Sequence, residues 1–77
     1  MIPTILSFIV MKECNVSATH APNYIIKKGE VYTKIRNVGD DAVLYKCLHN
    51  QVEVVFETDR IQKWFTSKII LAIEIGV

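Results

Sequence analysis

Between Glu30 and Glu57 the chain keeps a two-residue rhythm broken twice by short polar turns, and no other feature restricts its fold as tightly. Glu30 to Val38 reads EVYTKIRNV. Successive side chains of a strand point to opposite faces, so Val31, Thr33 and Ile35 share one side and Tyr32, Lys34 and Arg36 the other. The side with valine and isoleucine is expected to face the core. Val38-Gly39-Asp40-Asp41 then supplies residues that tolerate positive φ or bond their own backbone, and the chain reverses there. Ala42 to Leu48 (AVLYKCL) returns. This run mixes both faces, so periodicity alone does not choose between Val43, Tyr45 and Cys47 and Ala42, Leu44 and Leu48 as the inward set; Lys46, which shares a face with Leu44 and Leu48, favours the Val43 set. His49-Asn50-Gln51 is a break of hairpin length, after which Val52 to Glu57 resumes the alternation with Val52, Val54 and Phe56 inward and Glu53 and Glu57 outward. Two successive hairpins make a three-stranded meander.

The period changes at Thr58. Thr58 or Asp59 is placed to cap a helical turn, and Ile61, Trp64 and Phe65 at i, i+3 and i+4 lie on one face of it. A short helical turn over residues 59–65, plugging one end of the sheet, is expected.

The order Gly29-Glu30-Val31-Tyr32, a turn at Gly39-Asp40-Asp41, strands at Val43-Leu44-Tyr45 and Val54-Val55-Phe56, then Asp59-Arg60-Ile61 up to Phe65, resembles small SH3-like β-barrel proteins of the phage or mobile-element accessory type. The resemblance covers about half the chain and is architectural. It implies an all-β fold, a small SH3-like barrel or an open antiparallel sheet of about five strands, forming a single domain over residues 1–77. It also implies a binding or regulatory role on a protein partner, in its most concrete form a phage-type modulator of a host protein. The chain lacks the acidic loop and clustered aromatic groove of peptide-binding SH3 domains, which argues against proline-motif recognition.

A chain of 77 residues buries only about 60% of its unfolded surface, yet 51% of the residues are apolar. That excess points to a surface covered by another chain. Nine basic residues against eight acidic give a net charge of +1, which supplies no general field for nucleic acid or anionic membrane. Cys14 and Cys47 are too few for a disulfide framework. They are read as free thiols in a reducing compartment, the cytoplasm, or the host cytoplasm for a phage-encoded chain.

Ile5 to Met11 is an apolar run with one serine. A secretory signal over residues 1–21 is opposed by the absence of positive charge before the run and by Lys12-Glu13 after it, and the run falls far short of the roughly 20 residues of a transmembrane helix. It is read as a buried first strand. Asn15 to Asn23 reads as a long polar loop, and Tyr24-Ile25-Ile26 brings the chain back. In Ile69 to Val77 (IILAIEIGV), Ile69, Leu71, Ile73 and Ile75 alternate with Ile70, Ala72 and Glu74, which favours a strand over a continued helix because Lys68 would fall on the helix's apolar face. The first and last strands are expected to be neighbours. Such a last strand leaves an open edge unless something pairs with it, the main argument for a homodimer.

No catalytic constellation is found. Asp40-Asp41 are turn formers, Glu53 and Glu57 sit on the solvent face, and no phosphate loop, Walker pattern or HExxH occurs. Cys14, His20, Cys47 and His49 lack the paired spacing of a zinc site, so no metal or cofactor is expected. Lys27, Lys28, Tyr32, Lys34 and Arg36 form a basic and aromatic stripe if they share one surface, the alternative being a nucleic-acid-binding barrel. Lysine and arginine on a strand's outer face also serve simply to keep edges apart, the reading preferred here. The expected function is therefore non-catalytic contact with a protein.

Overall fold

The computed structural model describes residues 4–18 and 21–76. Met1 to Pro3, Thr19, His20 and Val77 lie outside the described residues, and with them His20 as a metal candidate and part of the 1–21 segment of the signal reading. Eight elements follow in order: β1 (Thr4–Val10), β2 (Cys14–Ala18), β3 (Ala21–Ile26), β4 (Val31–Val38), β5 (Ala42–Cys47), β6 (Glu53–Glu57), α1 (Thr58–Thr66) and β7 (Ile70–Gly76). Five strands form one antiparallel sheet in the order β6-β5-β4-β1-β7, and β2 and β3 form a separate hairpin. Among the described residues β6 and β7 do not pair, so the sheet is open and does not close into a barrel. No helix among the described residues is long and apolar enough to cross a membrane.

The expected meander is β4-β5-β6, and β1 lies beside β7 as anticipated. Gly39 takes φ 65° in the first hairpin turn. Gly29 takes φ 91° at the third position of the turn Lys27-Lys28-Gly29-Glu30, closed by the Glu30 N–H donating to the Lys27 carbonyl at 3.1 Å. A type II turn requires positive φ at that position.

One face of the sheet carries the core. Val43, Tyr45, Cys47, Val54 and Phe56 point into it as expected, joined by Ile5, Phe8, Val10 and Ile70 from the strands not in the meander. Phe56 sits at the centre of the aromatic packing, with the Trp64 ring 5.1 Å away edge-on and Tyr24, Tyr32 and Tyr45 around it. Offset and edge-on pairs of this kind add about 1 kcal/mol each beyond the area they bury.

Five expectations are corrected. The polar loop over Asn15 to Asn23 is largely the β2–β3 hairpin: Val16 pairs with Tyr24 and Cys14 with Ile26, and Val16 and Ile26 are buried under the sheet. Tyr32 is turned inward and fully buried, while Ile35 is exposed. The tyrosine ring buries more area than Val31 or Ile35 would, and its hydroxyl finds partners inside, so it takes the core side. In α1 the N-cap is Glu57 and no side-chain cap bond is made among the described residues; the Thr58 N–H donates instead to the Asp41 carbonyl at 2.8 Å. Of the three expected helix anchors, Ile61 and Trp64 are buried, but Phe65 is exposed, one residue further round than the sheet reaches. Val52 is also exposed, because β6 begins only at Glu53.

Helix α1 ends where Lys68 enters the left-handed region at φ 62°. The Ile69 N–H donates to the Trp64 carbonyl at 2.9 Å and the Lys68 N–H to the Phe65 carbonyl at 3.1 Å, the paired bonds of a Schellman motif. This cap turns the chain directly into β7.

Candidate functional site

The basic and aromatic stripe is not a single surface. Tyr32 is in the core, and Lys27 and Lys28 are exposed in the turn before β4. Lys34 stands opposite Tyr45, but Arg36 stands opposite Leu44, so Ile35 is an extra residue in the ladder. Directly opposed residues of antiparallel strands share a face, so this bulge puts Lys34 on the side of Tyr45 and Arg36 on the other side. A stacking platform needs its aromatic exposed, and Tyr32 offers none.

Around Tyr32 the structure gathers a polar knot that the sequence did not announce. The Tyr32 hydroxyl donates to Glu30 Oε1 at 3.2 Å and lies 2.9 Å from the Tyr24 hydroxyl. Glu30 also accepts the Lys27 backbone N–H at 2.7 Å and the Cys47 thiol at 3.6 Å. One carboxylate thus ties together the turn, β4 and β5, and the Tyr32 hydroxyl joins them to β3 through Tyr24. Burial pushes the pKa of both Tyr32 and Tyr24 above the usual tyrosine value. Every bond in the knot is internal, which suits it to holding the hairpin on the sheet. Cys14 and Cys47 are free thiols, and among the described residues no group of three or more His, Cys, Asp or Glu is placed to hold a metal.

The two sheet edges differ in chemistry. β6 is five residues long and carries exposed Glu53 and Glu57 at its two ends. Exposed charge on a short strand is how natural sheets blunt an edge. β7 is seven residues long, reads ILAIEIG, and has one charged residue, Glu74. Leu71, Ile73 and Ile75 are 55%, 57% and 52% exposed. Ala72 pairs with the buried Phe8 and faces inward, so Leu71 beside it points to the outer face; Ile73 is the extra residue of the bulge between Ala72 and Glu74, and Glu74, opposite Ser7, returns to the outer face. There Leu71 continues a row with Ile9 and Val31, both half-buried, and exposed Leu48.

The backbone of β7 is open on its far side. The Met11 N–H donates to the Ile69 carbonyl at 2.8 Å, whereas Val10 exchanges its bonds with Glu30 and Gly29 on the β4 side. Hydrogen-bonded and non-hydrogen-bonded pairs alternate along an antiparallel ladder, so Leu71 bonds toward β1, and Ile70 and Ala72 turn their N–H and C=O groups away from it. The ladder shifts by one residue at Ser7 and Glu74 and recovers by Ile5 and Ile75. Long apolar stretches with unpaired backbone are templates for another strand. Compared with protein-family models, curated proteins and solved structures, the chain matches none.

Proposed function

We propose that this chain is a small non-catalytic binding module whose contact with a protein partner runs along β7, which takes up an extended segment as an added strand. The observation that supports this is the contrast between edges: β7 combines outward backbone groups with three branched side chains more than half exposed, whereas β6 carries glutamates. In strand addition the backbone bonds give affinity and alternate side chains give selectivity. Leu71, on the outer face, would grip a side chain of the incoming segment beside it.

Ala72→Pro tests it. Proline is tolerated on an edge where the lost N–H faced solvent, so the variant keeps the β1–β7 ladder and loses an outward donor. Fluorescently labelled extended peptides of alternating Val, Thr and Ile are expected to bind the wild-type chain and to bind Ala72→Pro about ten-fold or more weakly. Absence of binding, or binding that Ala72→Pro leaves unchanged, would overturn the proposal.

A further inference from the structure

We infer that the segment β7 takes up runs antiparallel to it and carries a basic residue two places ahead of an apolar one, the first beside Glu74 and the second beside Leu71. This rests on β7 being a docking edge and names the chemistry of its partner.

Two rows of side chains cross the outer face of the sheet, and both end at β7. The first is apolar: Leu71 stands opposite Ile9, and Ile9 opposite Val31. The second is polar: Glu74 stands opposite Ser7, Ser7 opposite Thr33, Thr33 opposite Lys46 and Lys46 opposite Glu53. Residues opposed across a ladder share a face, and the Ser7 and Thr33 hydroxyls meet within the second row at 3.1 Å.

The bulge sets the spacing between the rows. Leu71 and Glu74 are three residues apart, yet their partners Ile9 and Ser7 are two apart, because Ile73 is the extra residue between them. A regular strand laid along the far side of β7 therefore meets Leu71 and Glu74 with residues two apart on one face, as β1 does on the near side. In the antiparallel direction, the one β1 takes and slightly the more stable per residue, the residue beside Glu74 comes first.

Charge decides what that residue is. At one end of the polar row the edge carboxylate of Glu53 has the basic Lys46 opposite it. At the other end Glu74 is exposed, and its neighbour Ser7 is uncharged. The ion pair among the described residues is Glu57–Arg60, and Glu74 has no part in it. Opposite charges directly across a ladder stabilise the pairing and like charges weaken it, so an incoming lysine or arginine is favoured here and an aspartate or glutamate is rejected. Leu71, 55% exposed, gains from an apolar neighbour that removes its surface from water.

Three labelled peptides test this by fluorescence anisotropy: Thr-Val-Lys-Val-Ile-Val-Thr, the same with glutamate for lysine, and the same with lysine and isoleucine exchanged. The wild-type chain should bind the first about ten-fold more tightly than the glutamate peptide and about three-fold more tightly than the exchanged one. The gap between the lysine and glutamate peptides should close in about 1 M salt, where the screening length is about 3 Å. Glu74→Lys, a change at an exposed position, should reverse the preference between those two. Equal binding of the lysine and glutamate peptides, or a preference that Glu74→Lys does not reverse, would overturn the inference, as would an exchanged peptide that binds as tightly as the first. If all three bind alike and Ala72→Pro still weakens them, the charge pattern is refuted and β7 stands as the docking edge; if none binds, both readings fail. Self-association of the wild-type chain at about 0.1 mM that the lysine peptide does not displace would make a second copy the occupant and refute the partner named here.

Discussion

The Tyr45 hydroxyl donates to the Ile5 carbonyl at 2.7 Å inside the core, and burial pushes its pKa from the ordinary 10.0 up to about 12. Above pH 10 the unfolded chain releases this proton and the folded chain keeps it. The stabilisation is therefore whole below pH 10 and is lost as pH rises through 12, on the order of 2–3 kcal/mol in all. Tyr24 and Tyr32 are raised too and act in the same direction. Denaturant titrations at pH 8, 10 and 11.5 should show stability falling mainly over the last interval, and Tyr45→Phe should reduce that fall, leaving the part due to Tyr24 and Tyr32, while lowering stability at pH 8 by about 1–2 kcal/mol, since the Ile5 carbonyl loses its donor. Lys68, with φ 62° and an exposed side chain, is the opposite case. Lys68→Gly is expected to raise stability by about 1 kcal/mol by removing left-handed strain, read as a higher urea midpoint at unchanged slope. The inward turn of Tyr32 was not legible in the sequence: its hydroxyl partners come from Tyr24 and Glu30, and the bulge at Ile35 that breaks the alternation has no local signature.

Elements differed in how plainly they could be read. β5 and β7 were legible as strands because each is a short run of large apolar residues bounded by a glycine, a lysine or a polar turn. The β2–β3 hairpin was not, because its inward residues Cys14, Val16, Tyr24 and Ile26 are separated by Asn, Ser, Thr, His and Pro, which read as loop. Its hold on the body is nonetheless a core contact. Ile26→Ala should cost about 2–5 kcal/mol in chemical denaturation, the range for a fully buried large-to-small change. Arg60→Ala should cost little, although Arg60 donates to the Ser17 carbonyl at 3.1 Å, because the bond is exposed. Equal losses at both positions would show that the hairpin is pinned at its surface and not through its apolar side.

At the scale of the molecule, the all-β class, the five-stranded antiparallel sheet and the adjacency of first and last strands follow from patterns visible in the chain. Closure was not visible: whether five strands form a barrel or stay open depends on where the ends of β6 and β7 finish, a sum of twists and bulges no short window contains. Left open, the sheet has one charged edge and one apolar edge, and the functional proposal stands on that asymmetry. Backbone amide exchange measured with and without the extended peptide tests it most directly. The amides of Ile70 and Ala72 are expected to become protected as peptide is added while those of β6 stay unchanged. Unchanged exchange along β7, or new protection along β6 instead, would contradict it.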